Sequence, residues 1–475
     1  MTAHAAAASF SAQASRRCLV LTFAVGLVLT AGTVGVSTVP DLRFQGWPWT
    51  LVGVAALAFV LAAPVHQRSL AELASQRPGA ATLGSLGLVV ALVVTLYEAL
   101  AEERPTTAIA VVASAALLSL VSLWRGDESI VDAPAWFVLS VVTAATVAAA
   151  VWAVVETPGR GLQVAALVLV SAGPAGLLAA GPAALRVARR HMAPHDVTFP
   201  HPAALPQVAA ADVALLDKDG TVTTGALRVT SIDPVEPDHE RNLRWFAGAL
   251  EHEQEGRVAR AVSRLSGRGR VTELQRHGDV GVSGRVDRHP VRVGDLPWLG
   301  LPAQEGVWTT VGVEVDARVL GTLTVGDDVR ADATEGVQAL RDLGLEVVLR
   351  SCDTDARTRE VAAQVGIDDA AGDLDADGQR ATVAAWTDDG RRVLHVSTGS
   401  TLTSDLGLAD LDVGRVARAV GAARGAVGSA RRGQSVALAW SVLAGAVAAA
   451  GLLGPGLAGI AAGVGVAATV VVAGS

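Results

Sequence analysis

The sequence is poor in the residues that mark most functional classes. Its two cysteines, Cys18 and Cys352, lie far apart in 475 residues, which excludes a disulfide framework and a cysteine-based metal site. Charged residues make up 18%, below the roughly one quarter of an ordinary soluble domain, so a purely soluble enzyme is excluded. A 51% apolar share and a mean hydropathy of +0.42 exclude a disordered chain. A net charge of −8 offers no basic surface to a nucleic-acid partner. Aromatics reach only 4%, so Ala, Val, Leu and Gly carry the apolar content. Lysine is almost missing. Lys218 is the only one, and arginine supplies the rest of the Lys/Arg total.

What is present is apolar sequence of membrane length. A span needs about 20 apolar residues to cross about 30 Å of hydrocarbon. Six such runs fill the N-terminal region 1–190, at 18–39, 47–65, 81–101, 106–124, 135–155 and 162–185, and two close the chain in region 431–475, at 435–453 and 456–473. Eight spans split six and two therefore flank a middle that alternates apolar strands with charged helices. Arg16, Arg17, Arg68, Arg77, Arg125, Arg186, Arg189, Arg190, Arg431 and Arg432 fall on one side, against Arg43, Arg104 and Arg160 on the other. The positive-inside rule then places both termini and the middle domain in the cytoplasm of a multi-pass plasma-membrane protein. Arg16-Arg17 before the first run also fits a secretory leader, but the run is long and no small-x-small cleavage site follows. Glu98 lies near the outer end of its run and is expected to be a solvated, interfacial carboxylate. Pro174 and Pro182, with their glycines, predict a broken sixth helix.

The chemistry concentrates in Val213-Ala-Leu-Leu-Asp217-Lys218-Asp219-Gly220-Thr221-Val222-Thr223. An apolar strand runs straight into a carboxylate and a glycine turn. In open α/β sheets ligands meet the carboxyl ends of strands. A carboxylate there can attack phosphorus and form an aspartyl phosphate. Gly220 and Thr221 let backbone and hydroxyl approach phosphate oxygens, and the chain's one lysine sits inside the motif.

This motif resembles the Asp-Lys-Thr-Gly-Thr-Leu-Thr-x-Gly phosphorylation motif of P-type ATPases, in particular the heavy-metal, copper-transporting branch. The likeness continues along the chain. Residues 167–183, with Gly173-Pro174-Ala175, resemble the span built around Cys-Pro-Cys. Residues 249–262 resemble the nucleotide-domain Ser-Glu-His-Pro helix. Gly281-Val-x-Gly and Val293-Gly294-Asp295 resemble the glycine turn and Val-Gly-Asn of that domain. Asp327-x-x-Arg330, Leu343–Val348 and Ser351-Cys352-Asp353 resemble the return into the phosphorylation domain, ending in Thr-Gly-Asp. The resemblance implies a helical membrane bundle plus a haloacid-dehalogenase-like α/β phosphorylation domain (191–227 and 321–430) interrupted by an α+β nucleotide-binding insert (228–320). It implies Asp217, Lys218, Asp219, Thr221 and Asp353 as catalytic residues and Glu251, Gly281 and Asp295 as nucleotide contacts. It further implies Mg²⁺ held by Asp217 and Asp219, and ATP as the nucleotide.

The departures are equally specific. The family's actuator domain should follow the fourth run, where only the short 125–134 loop occurs, with no Thr-Gly-Glu. Gly173 and Ala175 replace the two metal-binding cysteines, and Val442 and Leu443 replace the Tyr-Asn pair of the next span. Soft Cu(I) requires thiolate or thioether ligands, which these positions lack. Thr398 stands where the Mg²⁺ carboxylate is expected, which predicts weakened Mg²⁺ binding, with Asp405 nearby. Gly378 replaces the phosphate-neutralising lysine, with Arg380 beside it, and Gly256-Arg257 replaces His-Pro. Asp219 stands where the pumps have threonine. Asp-x-Asp-Gly-Thr is the pattern of haloacid-dehalogenase phosphatases, in which the second Asp is the general acid/base. Three readings follow: a shortened ATPase phosphorylated on Asp217, a non-catalytic pseudo-ATPase acting as regulator, and a membrane-tethered phosphatase using Asp217 and Asp219. The bilayer and a nucleotide are the expected partners, with a second membrane protein supplying the missing functions.

Overall fold

A computed structural model of the protein describes residues 24–101, 103–125, 130–195, 197–199, 201–303, 308–397 and 412–475. Arg16, Arg17, Cys18, Thr398–Leu402 and Asp405 lie outside them. The chain forms two compact units, one from residues 1–194, 201–209 and 422–475, the other from 195–200 and 210–421.

The first unit is helical. Its elements are α1 (Ala24–Thr38), α2 (Trp47–Leu61), α3 (Ala63–Ala74), α4 (Ala80–Leu100), α5 (Thr107–Arg125), α6 (Ala135–Val155), α7 (Pro158–Ser171), α8 (Pro174–Met192) and α9 (Leu205–Ala210). The last two long helices follow the α/β unit in sequence, at Val413–Ala449 and Pro455–Ala473. Among the described residues, four helical segments are long and apolar enough to cross a membrane: α4, α6, α7 with α8, and Pro455–Ala473. The pair α2 and α3, bent by 57°, makes a fifth. The expected order of six runs and then two is present, but fewer reach full length. The first run begins outside the described residues, α5 extends over the 19 residues Thr107–Arg125, and Val413–Ala449 mixes apolar turns with arginines.

The sixth run breaks as its sequence predicts. Gly173 takes a left-handed conformation (φ +64°), and Pro174 restarts the helix at its first turn, where a missing N–H costs nothing. Glu98 differs from expectation: it is buried, at 4% exposure. Its carboxylate accepts from the Thr107 backbone N–H (3.1 Å), the Thr107 hydroxyl (2.6 Å) and Gln163 Nε2 (3.0 Å). Three donors from α5 and α7 replace the water that the sequence had implied.

Small residues let the helices of this unit approach closely. A Cβ on Gly465 would lie 2.5 Å from the Trp440 ring, whose Nε1 donates to the Ala461 carbonyl at 2.8 Å.

The second unit holds two sheets. A parallel sheet is formed by β1 (Val213–Asp217), β8 (Glu346–Arg350), β9 (Asp369–Ala371) and β10 (Val393–Val396), in the order β10-β1-β8-β9. β1 reads Val-Ala-Leu-Leu and is buried on both faces, as a central parallel strand must be. Helices α12 (Ala333–Asp342), α13 (Asp355–Val365) and α14 (Ala376–Asp388) belong to this layer. Between β1 and β8 runs a six-stranded antiparallel sheet of order β2-β7-β6-β5-β4-β3, from β2 (Thr223–Pro234) and β3 (Val271–Arg276) through β4 (Gly281–Val286), β5 (His289–Asp295) and β6 (Thr309–Val315) to β7 (Arg318–Val329). Its strands β2 and β7 extend a few residues past 228 and 320 on either side, because the two pair along nearly their whole lengths. Helix α10 (Glu240–Glu251) buries Leu243, Ala247 and Leu250, one face at helical spacing, in a cluster with Val282, Val286, Val291, Val313 and Leu323. Short α11 (Arg257–Ser263) follows it.

Replacing Gly465 by leucine should displace the Trp440 indole and cost about 1–3 kcal/mol of stability. A lowered melting midpoint in detergent, with an altered tryptophan emission, is the expected result.

Candidate functional site

The site is built where β1 and β8 end side by side. The two strands pair in parallel, with Asp217 in register with Arg350. Asp217 is the last residue of β1. The chain then turns through Asp219 and Gly220 (φ +81°) before β2 begins. Only glycine takes that left-handed step without strain.

Lys218 is 2% exposed. Its Nζ lies 2.5 Å from Asp353 Oδ2 and 3.0 Å from Asp219 Oδ1. A buried ammonium needs this pairing, because an unpaired charge would cost several kcal/mol. Asp353, just beyond β8, also accepts from Arg357 Nη1 at 3.2 Å and from the Thr354 backbone N–H. Burial pushes the Asp353 carboxyl up. The Lys218 and Thr354 hydrogen bonds and the Lys218 and Arg357 charges outweigh it, and hold Asp353 below the usual carboxylate range. Asp217 goes the other way. Burial, and then the charge of Asp219, push it up to about 6 against the opposing pull of Lys218.

Both Asp219 oxygens face a cation, and only Oδ2 is hydrogen-bonded. Beyond Lys218, Arg257 Nη1 reaches its Oδ2 at 2.8 Å, and Arg257 Nη2 donates to the Gly225 carbonyl at 3.3 Å. The contacts form a ladder of alternating charge: Arg257, Asp219, Lys218, Asp353, Arg357. Asp217, Lys218, Asp219 and Asp353 are thus gathered at one place. Thr221 is close in sequence but fully enclosed, and its hydroxyl makes no hydrogen bond. The neighbouring hydroxyls, of Thr223 and Thr224, bind buried Asp327 at 2.7 and 2.8 Å, and the Gly225 N–H adds a third bond at 3.1 Å. Arg330 donates to the carbonyls of Thr223 (3.2 Å) and Gly220 (3.0 Å). Asp327 and Arg330, placed by resemblance alone, support the loop from behind. Arg357 also donates to Thr309 of β6 at 2.9 Å.

The proposed nucleotide contacts all lie in the insert. Glu251 ends α10 and is 9% exposed, and burial alone pushes its carboxyl up to about 7. Gly281 faces Gly294 across β4 and β5. A Cβ at Gly281 would meet the Trp298 ring at 2.7 Å, so an indole covers that face of the turn. Asp295, at the end of β5, is exposed.

Mg²⁺ binds hard oxygens, with one or two carboxylates completed by phosphate. Asp217 and Asp219 offer oxygens of that kind, and the Asp219 carboxylate is already paired with Lys218 and Arg257. Among the described residues no three His, Cys, Asp or Glu side chains gather as a metal cluster.

In the helical unit, Gly173-Pro174-Ala175 meets Ser441, whose hydroxyl lies 3.5 Å from a Cβ built on Gly173. Val442 and Leu443, aligned by sequence with the family's Tyr-Asn pair, are exposed instead, and Trp440 and Ser441 are the residues near the break. A void beside Gly84, Gly87, Pro174 and Ala175 measures about 10 Å³ and is lined chiefly by apolar groups. That is the lower limit for one water molecule.

Residues 211–401 match the family profile of haloacid dehalogenase-like hydrolases. The chain is 30% identical over 361 residues to the copper-exporting P-type ATPase of Mycobacterium tuberculosis, covering 68% of this chain and 47% of that protein. It is 32% identical over 368 residues to cation-transporting P-type ATPase B of Mycobacterium bovis, covering 68% and 49%. The chain therefore spans about half the length of the curated relatives it matches. Its fold resembles a crystal structure of a zinc-transporting PIB-type ATPase in the E2.Pi state, with a TM-score of 0.72 at 14% identity, covering 96% of this chain and 99% of that one.

Glu251 generates a pH test. Its carboxyl rises from 4.5 to about 7 on folding, so its contribution to stability is complete below pH 4.5 and lost as pH climbs through 7. Glu251→Gln should stabilise α10 by about 1–3 kcal/mol at pH 8.5, with the gain fading as pH falls toward 4.5. Hydrogen exchange of the α10 amides at the two pH values measures it.

Proposed function

From the premise that this chain is a heavy-metal P-type ATPase-like membrane protein with a haloacid dehalogenase-like domain, we propose that it binds ATP and accepts a phosphoryl group on Asp217 without moving a metal ion through its helices. The observation that carries the proposal is the parallel pairing of β1 and β8, which sets Asp217 beside the Lys218–Asp353 bridge. In the transfer, an Asp217 carboxylate oxygen bonds to the γ-phosphorus and the β–γ bridging oxygen leaves with ADP. No proton is required. Lys218 stays paired, keeping the loop rigid while the charge at Asp217 changes. Mg²⁺, bound through Asp217 and Asp219, would neutralise phosphate charge. Glu251, Gly281 and Asp295 would hold the nucleotide. The α/β unit would face the cytoplasm, on the side richer in arginine.

Transport is a different matter. The relatives carry names of copper and cation export, and a soft ion needs sulfur ligands. Among the described residues, the polar side-chain groups around the helix break are the hydroxyls of Ser171, Ser441 and Thr469, with Ser114 lining the neighbouring void, and the rest is apolar surface without sulfur. With α5 ending at Arg125 and α6 starting at Ala135, no actuator domain stands between them to direct water at the phosphoenzyme. Dephosphorylation then falls to Asp219 or to a second membrane protein, and a regulator of such a partner is the reading that remains if no phosphoenzyme forms. The phosphatase reading is favoured by Asp219 lying two residues after Asp217 in the same turn.

Acid-quenched incubation with γ-labelled ATP tests the proposal. Wild type should retain a hydroxylamine-labile label and Asp217→Asn should retain none, with no stimulation by copper or zinc. Equal labelling of the two proteins, or none in either, sinks the proposal. Asp219-dependent hydrolysis of small phosphate esters without a trapped label would favour the phosphatase.

A further inference from the structure

Helix α8 changes character near its end. Through Leu185 it is apolar and largely buried, and the exposed side chains of Arg186, Arg189 and Arg190 follow. Spacings of three and four residues put the three guanidinium groups on one face of the helix. All three line a pocket of about 390 Å³, together with Trp124 from the end of α5 and with Pro182 and Leu185. That volume falls within the range of ligand pockets, about 300–1,000 Å³. The Arg186 guanidinium carbon stands 4.8 Å from the centre of the Trp124 ring. An indole beside a guanidinium at the end of a span is the chemistry of the bilayer border.

The pocket has two parts of opposite character. Pro182, Leu185 and the Trp124 ring form an apolar wall, and the arginines bring three positive charges to its rim. Like charges at helical spacing repel, and an anion between them relieves that repulsion. A free phosphate would use the charges and leave the wall wet. A neutral lipid would use the wall and leave the charges without a counterion. An anionic phospholipid uses both. The segment α7 with α8 is long and apolar enough to cross a membrane, so its arginine-bearing end meets the head groups of the surrounding lipid.

We propose that this pocket binds one anionic phospholipid, with its phosphate on Arg186, Arg189 and Arg190 and the start of its acyl chains against Pro182, Leu185 and the Trp124 ring. Guanidinium forks recognise phosphate oxygens directionally, so the contact is a site and not only a charged surface. The lipid pins the far end of the half-helix that restarts at the Gly173 break. It also joins that end to α5, which supplies the indole.

Native mass spectrometry of the full chain in detergent tests the site, with dioleoylphosphatidylglycerol and dioleoylphosphatidylcholine titrated in turn and no nucleotide present. The first phosphatidylglycerol should bind about tenfold more tightly than phosphatidylcholine, because each basic residue near an anionic head group is worth about fivefold at most. The double variant Arg186→Gln, Arg190→Gln should remove the preference. Arg190→Gln alone, at an exposed side chain, guards against a folding defect of the pair and should weaken phosphatidylglycerol binding about two- to fivefold. The double variant Arg77→Gln, Arg432→Gln takes the same charge from exposed positions outside the pocket and should leave the preference intact. Equal binding of the two lipids by wild type overturns the proposal, as does a preference that survives loss of Arg186 and Arg190. Equal loss in both double variants marks diffuse attraction, and displacement of phosphatidylglycerol by inorganic phosphate marks an anion site indifferent to acyl chains; either result also overturns it. The readout involves no phosphoryl transfer, so it stands apart from the fate of Asp217.

Discussion

The site depends on one buried ion pair, Lys218 with Asp353. Asp219 and Asp353 meet on one ammonium where two parallel strands end, and without that cation between them their charges would repel. A compact ammonium on a flexible stem can sit between two carboxylates where a planar guanidinium would demand a wider gap. This is a physical reason for a lysine here in a chain that otherwise uses arginine. Its charge is spent on Asp353 and Asp219, and Asp217 is left with a raised carboxyl. Asp217 is thus the least compensated carboxylate of the loop.

The two units rest on different constraints. The α/β unit rests on its strand pairing, its lysine bridge and the supporting contacts from Asp327 and Arg330. The helical unit breaks at Gly173, where the Ser441 hydroxyl and the Trp440 indole stand nearest. The glycine–proline break satisfies a backbone constraint that is independent of any ligand.

The sequence made some elements legible and hid others. Strand β1, the glycine turn and the helix break were readable because each rests on local chemistry: a continuous apolar run, a left-handed glycine, and proline after glycine. Glu98 was misread because its donors, Thr107 and Gln163, come from other helices, and proximity to a span end says nothing of them. Val442 and Leu443 were placed by alignment, whereas helix rotation turns Trp440 and Ser441 toward the break. Thr221 was given a phosphate-facing role from its motif position, but the turn folds its hydroxyl inward. Arg257 drew notice only as the replacement for a missing motif, since its partner Asp219 lies 38 positions away. The hairpin turns Asp287-Arg288 and Asp316-Ala317 have positive φ at both residues without the usual Asn-Gly signature, so they too escaped a local reading.

The contact of Asp327 with the start of β2 has a mechanical consequence. The insert leaves the parallel layer through β2 and returns through β7, and one buried carboxylate on β7 grips Thr223, Thr224 and Gly225. The insert is therefore tethered by a laced pair of strands and not by two loose ends. Such a neck can flex and twist, but it keeps whatever the insert carries at a high effective concentration over the loop, since the tether is short and stiff. Lengthening that neck by a few flexible residues would dilute the insert without touching any residue of the site.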